Sequence, residues 1–441
     1  MTRTLIKETP EKIGEKITVE GRIASRRDHG SIVFFDLRDR TGILQIVLQA
    51  TMATDLKEED IISIEGIIKE RPAKMENLEI ETGKVELEAQ RIETISKASE
   101  LPFALKDTPE LSLPVLLDFR PLTLRAEKTK AILRVEEQVI DEFRKTLKGL
   151  DFFEFQAPSI VPTATEGGSE IFKINYYDSS AFLGQSPQFY KQIMVGSFER
   201  VFTVAKAYRA EPSVTTRHLS EYVTLDGEMG FINSWTDLMD ICETIIKNIF
   251  KRVGLVCQND LKLLGSCVPI IEKDIPRIKM REAQQIILER TGRDNTKEPD
   301  LTPEDEKKIC QWAKEKHNSE VIFITHYPTK KRPFYTMPDP ENPEYTLSFD
   351  ILCRGLEITT GGQRINNYNQ LVENIKKWGN KPTDFEFYLQ AFKYGMPREG
   401  GFAFGAERIV KQILDLENLR EACAFPRDMS RIDGRLNLNE S

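Results

Sequence analysis

Hydrophobic and polar residues alternate in short runs through the first hundred positions of the chain. Ile17, Val19 and Ile23 are separated by polar residues, and alternation with a period of two is typical of half-buried strands. Four more strand-like runs occupy residues 31–37, 43–48, 61–68 and 85–92. Five short strands divided by glycine and charged turns predict a small five-stranded Greek-key β-barrel, with a fragment of a β-sandwich as the alternative.

A proline-rich segment follows, and the hydrophobic pattern then becomes helical. Residues 101–127 contain four prolines and show no clean period, which predicts a hinge or linker. In the next segment, residues 128–150, apolar side chains recur at helical spacing at Ile132, Val135, Val139, Phe143 and Leu147. This spacing predicts a long amphipathic helix.

Strands and helices mix in the remainder, which we expect to form a larger α+β unit over residues 128–441. The run 152–160 predicts a strand that ends at Pro158, and 321–328 predicts a buried strand. Residues 280–292 and 303–317 predict two helices of a small insertion at about 275–320. This mixture favours an antiparallel or mixed sheet flanked by helices.

The composition narrows the class of protein. Of the 441 residues, 40% are hydrophobic and 30% charged, which excludes a disordered or collagen-like chain and suggests two or three domains. No apolar run approaches ~20 residues and the first ten residues lack a signal-peptide core, so we expect a cytoplasmic protein outside the membrane. Six scattered cysteines without a Cys-x-x-Cys pair argue against a disulfide scaffold and structural zinc.

The net charge of −8 argues against nucleic-acid binding by the whole chain but permits a local basic surface. The barrel sequence indicates such a surface, because Phe34 and Phe35 lie between two groups of arginines. Basic side chains around an aromatic residue bind single-stranded bases by stacking. The alternative is that both aromatics belong to the core, although one of two successive strand residues must face outward.

The segment 208–229 is the richest in reactive side chains. On the strand that its second half predicts, Tyr222, Thr224, Asp226 and Glu228 share one face, opposite an apolar face. Three donors for phosphate oxygens flank the preceding loop, namely Arg209, Arg217 and His218. This pattern predicts the floor of a polar pocket, with a solvated hairpin carrying ordinary surface ion pairs as the alternative.

The segment 347–364 predicts a hairpin that turns near Arg354 and Gly355. Such a turn would place Asp350 and Glu357 roughly opposite one another. Two carboxylates repel unless a cation lies between them, and hard oxygen ligands suit Mg²⁺. The alternative is a pair of solvated acids at the edge of a sheet.

The segment 400–409 places glycines before a predicted helix that carries Glu407 and Arg408. The glycines do not match G-x-G-x-x-G, and G-x-x-x-x-G-K-[ST] occurs nowhere in the chain, so the Rossmann and P-loop interpretations fail. By itself this segment predicts a closely packed helix start, with a nucleotide site as the alternative.

These three segments, in this order, resemble motifs two and three of the class II aminoacyl-tRNA synthetases, with the strand pair of the active site between them. The helix and strand of residues 128–160 resemble motif one, which forms the dimer interface in that family. The order of barrel, hinge and catalytic domain is similar to the aspartyl, asparaginyl and lysyl subgroup. Four runs look most like aspartyl-tRNA synthetases of the archaeal and eukaryotic type: TATEGGSEIF (163–172), QSPQFYKQ (185–192), GLEITTGGQR (355–364) and AFPRD (424–428).

The resemblance implies an OB-type anticodon-binding barrel over residues 1–100, a hinge over 101–127 and a class II catalytic domain over 128–441. It implies ATP and Mg²⁺, L-aspartate and tRNA(Asp) as ligands, and a homodimer. Whether tRNA(Asn) is charged as well stays open at this point.

The resemblance also implies which residues bind each ligand. ATP would contact Arg209, Glu211, Arg217, His218, Leu219, Tyr222, Glu357, Gly405, Glu407 and Arg408, of which Arg209, Arg217 and Arg408 would be catalytic. Aspartate would contact Glu166, Gln188, Lys191, Arg209, Asp226, Thr360 and Arg364. Mg²⁺ would be held by Asp350, Glu357 and Thr360, and the anticodon by Arg27, Phe34 and Gln45.

Lys191 and Arg364 would face the side chain of the amino acid, and both residues are hydrogen-bond donors only. Aspartate offers them two anionic acceptors, whereas asparagine would turn an NH₂ group toward a cation, and a buried unpaired charge costs ~3–5 kcal/mol. We therefore expect aspartate to be activated with ATP as an adenylate and transferred to tRNA. The alternatives are an asparaginyl-tRNA synthetase, a non-catalytic tRNA-binding paralogue and a ligase that amidates a bound adenylate.

Overall fold

The computed structural model describes residues 2–78, 80–163, 170–212 and 215–436. The chain folds as two compact units, Met1–Ala104 and Leu105–Ser441. In the first unit five strands close into a barrel in the order β1-β2-β3-β5-β4. Their bounds are β1 Lys16–His29, β2 Ile32–Arg38, β3 Ile43–Gln49, β4 Ile61–Glu70 and β5 Val85–Ser96.

The alternation in the sequence decides which side chains fill the barrel. Along β2, Val33, Phe35 and Leu37 are buried in the barrel core, while Phe34 and Asp36 are only half-buried on the outer face. The five predicted strands are confirmed. Because the sheet closes on itself, the alternative of a sandwich fragment is wrong.

The second unit is built on an eight-stranded sheet of order β12-β13-β14-β15-β16-β11-β10-β6 and a small sheet of order β7-β9-β8. The strand bounds are β6 Phe153–Glu154, β7 Ile160–Val161, β8 Lys173–Tyr176, β9 Ser179–Leu183, β10 Arg200–Tyr208, β11 Glu221–Gly230, β12 Arg277–Lys279, β13 Val321–Thr325, β14 Ser348–Cys353, β15 Leu356–Gln363 and β16 Glu399–Gly405. Pairing is antiparallel from β13 to β10, and the two edge strands β6 and β12 pair in parallel. The α+β class and the predicted sheet are confirmed.

Helices cover this sheet. Their bounds are α1 Leu113–Asp118, α2 Arg120–Thr123, α3 Glu127–Gly149, α4 Gln188–Phe198, α5 Thr236–Val256, α6 Gln258–Leu264, α7 Met280–Thr291, α8 Pro303–His317, α9 Tyr368–Lys377, α10 Glu386–Lys393 and α11 Ala406–Leu414. The apolar stripe of α3 is buried with α5, α11 and the central strands in the largest core cluster. The long helix and the two insertion helices are confirmed.

Two local expectations differ from the structure. The proline-rich segment contains the short helices α1 and α2, because Pro114 and Pro121 lie in their first turns, where a missing N–H costs nothing. The strand predicted at 152–160 is instead divided between β6 and β7, which belong to different sheets. Within the described part of the chain, no helix combines the length and the apolar character that crossing a membrane requires.

Candidate active site

Three neighbouring strands, β11, β15 and β16, bring the polar residues of the three segments together. In the register of the sheet, Asp226 of β11 and Thr360 of β15 both pair with Ala403 of β16. Two cavities, of about 280 and 540 Å³, adjoin at this place. Six residues line both cavities: Arg209, Tyr222, Thr224, Glu357, Thr360 and Ala403.

The smaller cavity is lined by all ten residues that the family resemblance assigns to ATP. These are Arg209, Glu211, Arg217, His218, Leu219, Tyr222, Glu357, Gly405, Glu407 and Arg408. The guanidinium of Arg209 lies 5.8 Å from the centre of the Tyr222 ring, and Arg408 Nη1 donates to Glu357 Oε1 at 3.3 Å. Burial lowers the pKa of His218 despite the nearby Glu211 carboxylate. The cavity therefore concentrates cationic donors beside one aromatic face.

Glu407, which lines this cavity, and Glu306, which lies outside its lining, are both engaged by other residues of the protein. Both carboxylate oxygens of Glu407 accept the backbone N–H of Val223, at 2.9 and 3.1 Å, and burial raises the pKa of Glu407 to about 7 despite these bonds. Glu407 thus ties α11 to β11. Arg217 donates from Nη2 to Glu306, a residue of α8 that the sequence gave no reason to select.

The larger cavity is lined by five of the residues assigned to the amino acid: Gln188, Lys191, Arg209, Thr360 and Arg364. Asp226 lies behind this wall and is fully buried. Glu166, the remaining member of the expected set, lies outside the described residues. Only 1% of Lys191 is exposed, so this lysine of α4 is enclosed by the protein and does not extend into solvent.

A compact group of two cations and two anions lies at the inner end of this cavity. Lys191 Nζ donates to Asp226 Oδ1 at 2.9 Å and to the carbonyl oxygen of Phe402 at 3.1 Å, and it forms an ion pair with Glu228 Oε2 at 3.1 Å. Arg364 Nε donates to Glu228 Oε1 at 2.7 Å. Glu228 was placed on the polar face of β11 by its alternation, but only the fold reveals that it joins both cations.

Arg364 retains a donor that these contacts do not use. Its Nη2 lies 3.5 Å from Gln188 Oε1 and from Glu228 Oε2, and its Nη1 has no hydrogen-bond partner among the described residues. The guanidinium borders the larger cavity. Arg364 therefore offers this cavity a cationic donor that is held in place by the neighbouring carboxylate.

The expected pairing of Asp350 with Glu357 is wrong in register. The hairpin turns at Arg354 and Gly355, which have φ values of 46° and 82°, but Asp350 pairs with Thr360 and Glu357 with Leu352. The two-residue turn pairs Cys353 with Leu356 and by itself sets Asp350 opposite Thr359, and an extra residue in β15, opposite Ile351 and Leu352, moves the partner of Asp350 one residue further to Thr360. Sequence alternation alone does not reveal such a bulge.

Asp350 already has a cation beside it, which the sequence analysis missed. Arg332 Nη2 lies 2.8 Å from Asp350 Oδ1, Arg332 Nη1 donates to the Thr360 hydroxyl at 3.0 Å, and its guanidinium lies over the Tyr327 ring at 4.0 Å. Burial raises the pKa of Asp350 to about 6 even though Arg332 opposes the shift. Asp350 lines neither cavity.

The oxygen atoms that face the cavities fit Mg²⁺ in part. Glu357 and Thr360 line both cavities, and Mg²⁺ in nucleotide sites commonly takes one or two carboxylates together with phosphate oxygens and water. Among the described residues, no group of three or more His, Cys, Asp or Glu side chains could hold a metal ion. Phosphate oxygens would therefore have to complete the ligand set.

The three residues assigned to the anticodon lie together on the barrel. Arg27 pairs with Phe34 in the register of β1 and β2, and Arg27 Nη2 lies 2.8 Å from Asp36 Oδ1 and 3.3 Å from Gln45 Oε1. Phe34 is half-buried and contacts the ring of His29 edge-on. Gln45 is buried and donates to Glu86 at 2.8 Å, so reading a base edge would require this contact to break.

Comparisons with known proteins match both units. The family model for tRNA synthetases class II (D, K and N) matches residues 112–429, and that for the OB-fold nucleic acid binding domain matches residues 17–95. An aspartate–tRNA(Asp/Asn) ligase of Deinococcus radiodurans is 40% identical, over 98% of this chain and 99% of that protein. An aspartate–tRNA(Asp) ligase of Pyrococcus abyssi is 37% identical, over 96% and 97%.

Solved structures agree with this assignment. The asparaginyl-tRNA synthetase of Pyrococcus horikoshii, complexed with asparaginyl-adenylate, superimposes with a TM-score of 0.88 at 29% identity, covering 98% of this chain and 99% of that one. The family match covers most of the chain and coincides with the sheet that builds both cavities. The chain therefore belongs to the class II tRNA synthetases of the aspartyl, lysyl and asparaginyl group.

Proposed function

We propose that this protein is an aspartate–tRNA ligase, which activates L-aspartate with ATP and transfers it to the 3′ end of tRNA(Asp). The observation that carries the proposal is the junction of the two cavities at Arg209, since a nucleotide and an amino acid can meet there. Relatives that are 40% and 37% identical over nearly the whole chain and are named aspartate–tRNA ligases support the same reaction.

In the first step a carboxylate oxygen of aspartate attacks the α-phosphorus of ATP. A bond forms between the α-phosphorus and the aspartate oxygen. The bond between the α-phosphorus and the oxygen that it shares with the β-phosphorus breaks, and pyrophosphate leaves. Arg209 stabilises the charge that accumulates on the α-phosphate, while Arg217 and His218 hold the outer phosphates. Adenine lies between Tyr222 and Arg408. No proton acceptor is needed, so orientation and charge stabilisation supply the acceleration.

Bound Mg²⁺ neutralises charge on the phosphates, and Glu357 and Thr360 are the residues that would hold it. In the second step a hydroxyl group at the 3′ end of the tRNA attacks the aspartyl carbonyl, and AMP leaves. The barrel binds the tRNA as well, and the half-buried face of Phe34 offers a base a stacking surface there.

The unused donor of Arg364 supports aspartate over asparagine. A guanidinium N–H only donates, and aspartate offers it two anionic oxygens, whereas asparagine offers one neutral carbonyl oxygen, so the charge-assisted hydrogen bond favours aspartate. Pyrophosphate exchange with aspartate and with asparagine tests this choice. Exchange that depends on asparagine would contradict it.

The experiment that tests the active site is the Arg209→Ala variant. We expect aspartate-dependent ATP–pyrophosphate exchange to be nearly abolished while the unfolding temperature stays close to that of the wild type. Charging of tRNA(Asp) and tRNA(Asn) transcripts in parallel then shows which tRNAs the enzyme accepts. This comparison is needed because one relative is named for tRNA(Asp/Asn) and the other for tRNA(Asp). Near-normal exchange in a folded Arg209→Ala protein would disprove the assignment.

We also propose a homodimer that forms at the β6 edge of the large sheet. Phe153 and Phe198 stack there with ring centres 4.3 Å apart, and they remain 46% and 47% exposed. An exposed aromatic pair at an unpaired sheet edge is a surface that association would bury. Sedimentation should give twice the chain mass, and a monomer at micromolar concentration would contradict the proposal.

A further inference from the structure

The contact between Arg217 and Glu306 joins the insertion to the smaller cavity. Arg217 lines this cavity, whereas Glu306 does not, so the carboxylate lies behind the guanidinium as seen from the cavity. The two side chains are 21% and 12% exposed, which makes this an ion pair largely shielded from solvent. A shielded pair is less weakened by salt and side-chain motion than one at the surface.

The position of Glu306 is fixed by the packing of α8 against the β14–β15 turn. A Cβ atom on Gly355 would lie 2.6 Å from Cγ and 3.0 Å from Cα of Lys307, the residue after Glu306. Further along α8, Ile309 and Cys310 are buried in a cluster with strands β13 and β14. The Glu306 carboxylate is therefore held by the packed helix α8 and not by a loop.

Arg217 shares the cavity with two other guanidinium groups. Arg209 and Arg408 line the same 280 Å³ space, and their charges would otherwise direct Arg217 toward solvent. An arginine side chain that is already held loses less conformational freedom when it binds phosphate. Burial raises the pKa of Glu306 to about 7 although Arg217 opposes the shift, so the ion pair offsets only part of the cost of burying this carboxylate.

We propose that Glu306 is a positioning residue for ATP: it orients Arg217 toward the outer phosphates, and the insertion thereby forms part of the nucleotide site. The inference rests on the proposed function and adds a residue of α8 to it. Glu306 touches neither substrate, so its loss should weaken ATP binding and leave the chemical step nearly unchanged.

The test compares Glu306→Ala and Glu306→Gln in the full-length protein by aspartate-dependent pyrophosphate exchange. We expect Glu306→Ala to raise the KM for ATP about tenfold, with kcat within about threefold of the wild type and the KM for aspartate unchanged. Glu306→Gln keeps an acceptor oxygen and should show a smaller increase. The matched control is Glu304→Ala on the same helix turn, where the carboxylate is 63% exposed and pairs with Lys308 at 3.7 Å.

A second arm asks whether Glu306 acts through Arg217. In an Arg217→Ala background the Glu306→Ala substitution should change the KM for ATP by less than about twofold, because the partner is already absent. Additive effects in the double variant would overturn the inference, and so would a KM for ATP that is unchanged or lower in Glu306→Ala. A lower KM would mean that Glu306 competes with phosphate for Arg217. These outcomes require an active wild type, whereas a wild type without exchange would refute the proposed function itself.

Discussion

Gly401 lies directly against the carboxylate of Glu228, so that a Cβ atom at position 401 would overlap with it and with the carbonyl oxygen of Gly227. The absence of a side chain in β16 is thus what leaves room for the acid that binds Lys191 and Arg364. We predict that Gly401→Ala lowers aspartate-dependent exchange by a hundredfold or more, since a displacement of about 1 Å costs roughly that factor.

The control for this prediction is Gly149→Ala at the end of α3, where a Cβ atom would meet nothing within 4 Å. Exchange kinetics and the unfolding temperature should both stay near wild type there. A Gly401→Ala protein with an ordinary KM for aspartate would show that the Glu228 contacts are dispensable.

Lys191 neutralises two carboxylates that have no access to solvent. Replacing it with methionine keeps the volume of the side chain but leaves Asp226 and Glu228 close together without this cation. We expect Lys191→Met to lose ~3–5 kcal/mol of unfolding free energy, the usual cost of breaking a buried ion pair, and to lose exchange activity. Urea unfolding at pH 7 measures the first effect, and a loss below ~1 kcal/mol would contradict it.

Phe34 and Phe35 are adjacent in β2 but have opposite environments, which makes them a matched pair. Phe35→Ala should destabilise the barrel by ~3–5 kcal/mol because its ring is completely buried in the barrel core. Phe34→Ala should leave stability nearly unchanged but raise the KM for tRNA about tenfold, since stacking on one base contributes ~1–3 kcal/mol. Equal effects of both substitutions on tRNA charging would argue against a base-stacking role for Phe34.

Glu320 gives the protein a stability that depends on pH. Burial would raise the pKa of Glu320, but hydrogen bonds from Lys314, Arg354 and the backbone of Ile270 outweigh it and lower the pKa to about 2. Because the folded value is below the ordinary value of 4.5, the stabilisation is present above about pH 4.5 and is lost as the pH falls toward 2.

We therefore expect Glu320→Gln to be less stable than the wild type at pH 7, and the difference to shrink between pH 4.5 and 2. Thermal unfolding of both proteins over this range measures it. A difference that stays constant with pH would mean that the charge of Glu320 contributes nothing.

The sequence was sufficient for the five barrel strands, for α3 and the insertion helices, and for the faces that carry polar residues. Alternation in β11 placed Asp226 and Glu228 on one side, and helical spacing located α3 and the insertion helices. Both predictions succeeded because the period of the apolar residues along the sequence identifies the type of element and the face that it buries. The resemblance then assigned ten residues to one ligand, and all ten line one cavity.

The sequence did not predict which charged side chains pair with each other. Glu228 and Arg364 are 136 residues apart, and Arg217 and Glu306 are 89 apart, so only the completed fold brings them into contact. The contact of Arg332 with Asp350 and the bulge in β15 were not predicted for a related reason. A cation at one position and an extra residue at another look like ordinary loop and strand sequence until the register is known.

The six residues shared by the two cavities also have a consequence for inhibition. A single molecule that joins an aspartyl group to an adenosine through a stable linkage could occupy both spaces without crossing a protein wall. Such a compound loses its translational and rotational freedom once instead of twice, so its affinity should exceed what either half achieves by itself. The shared lining at Arg209 and Thr360 thus makes the site suited to single ligands that occupy both spaces at once.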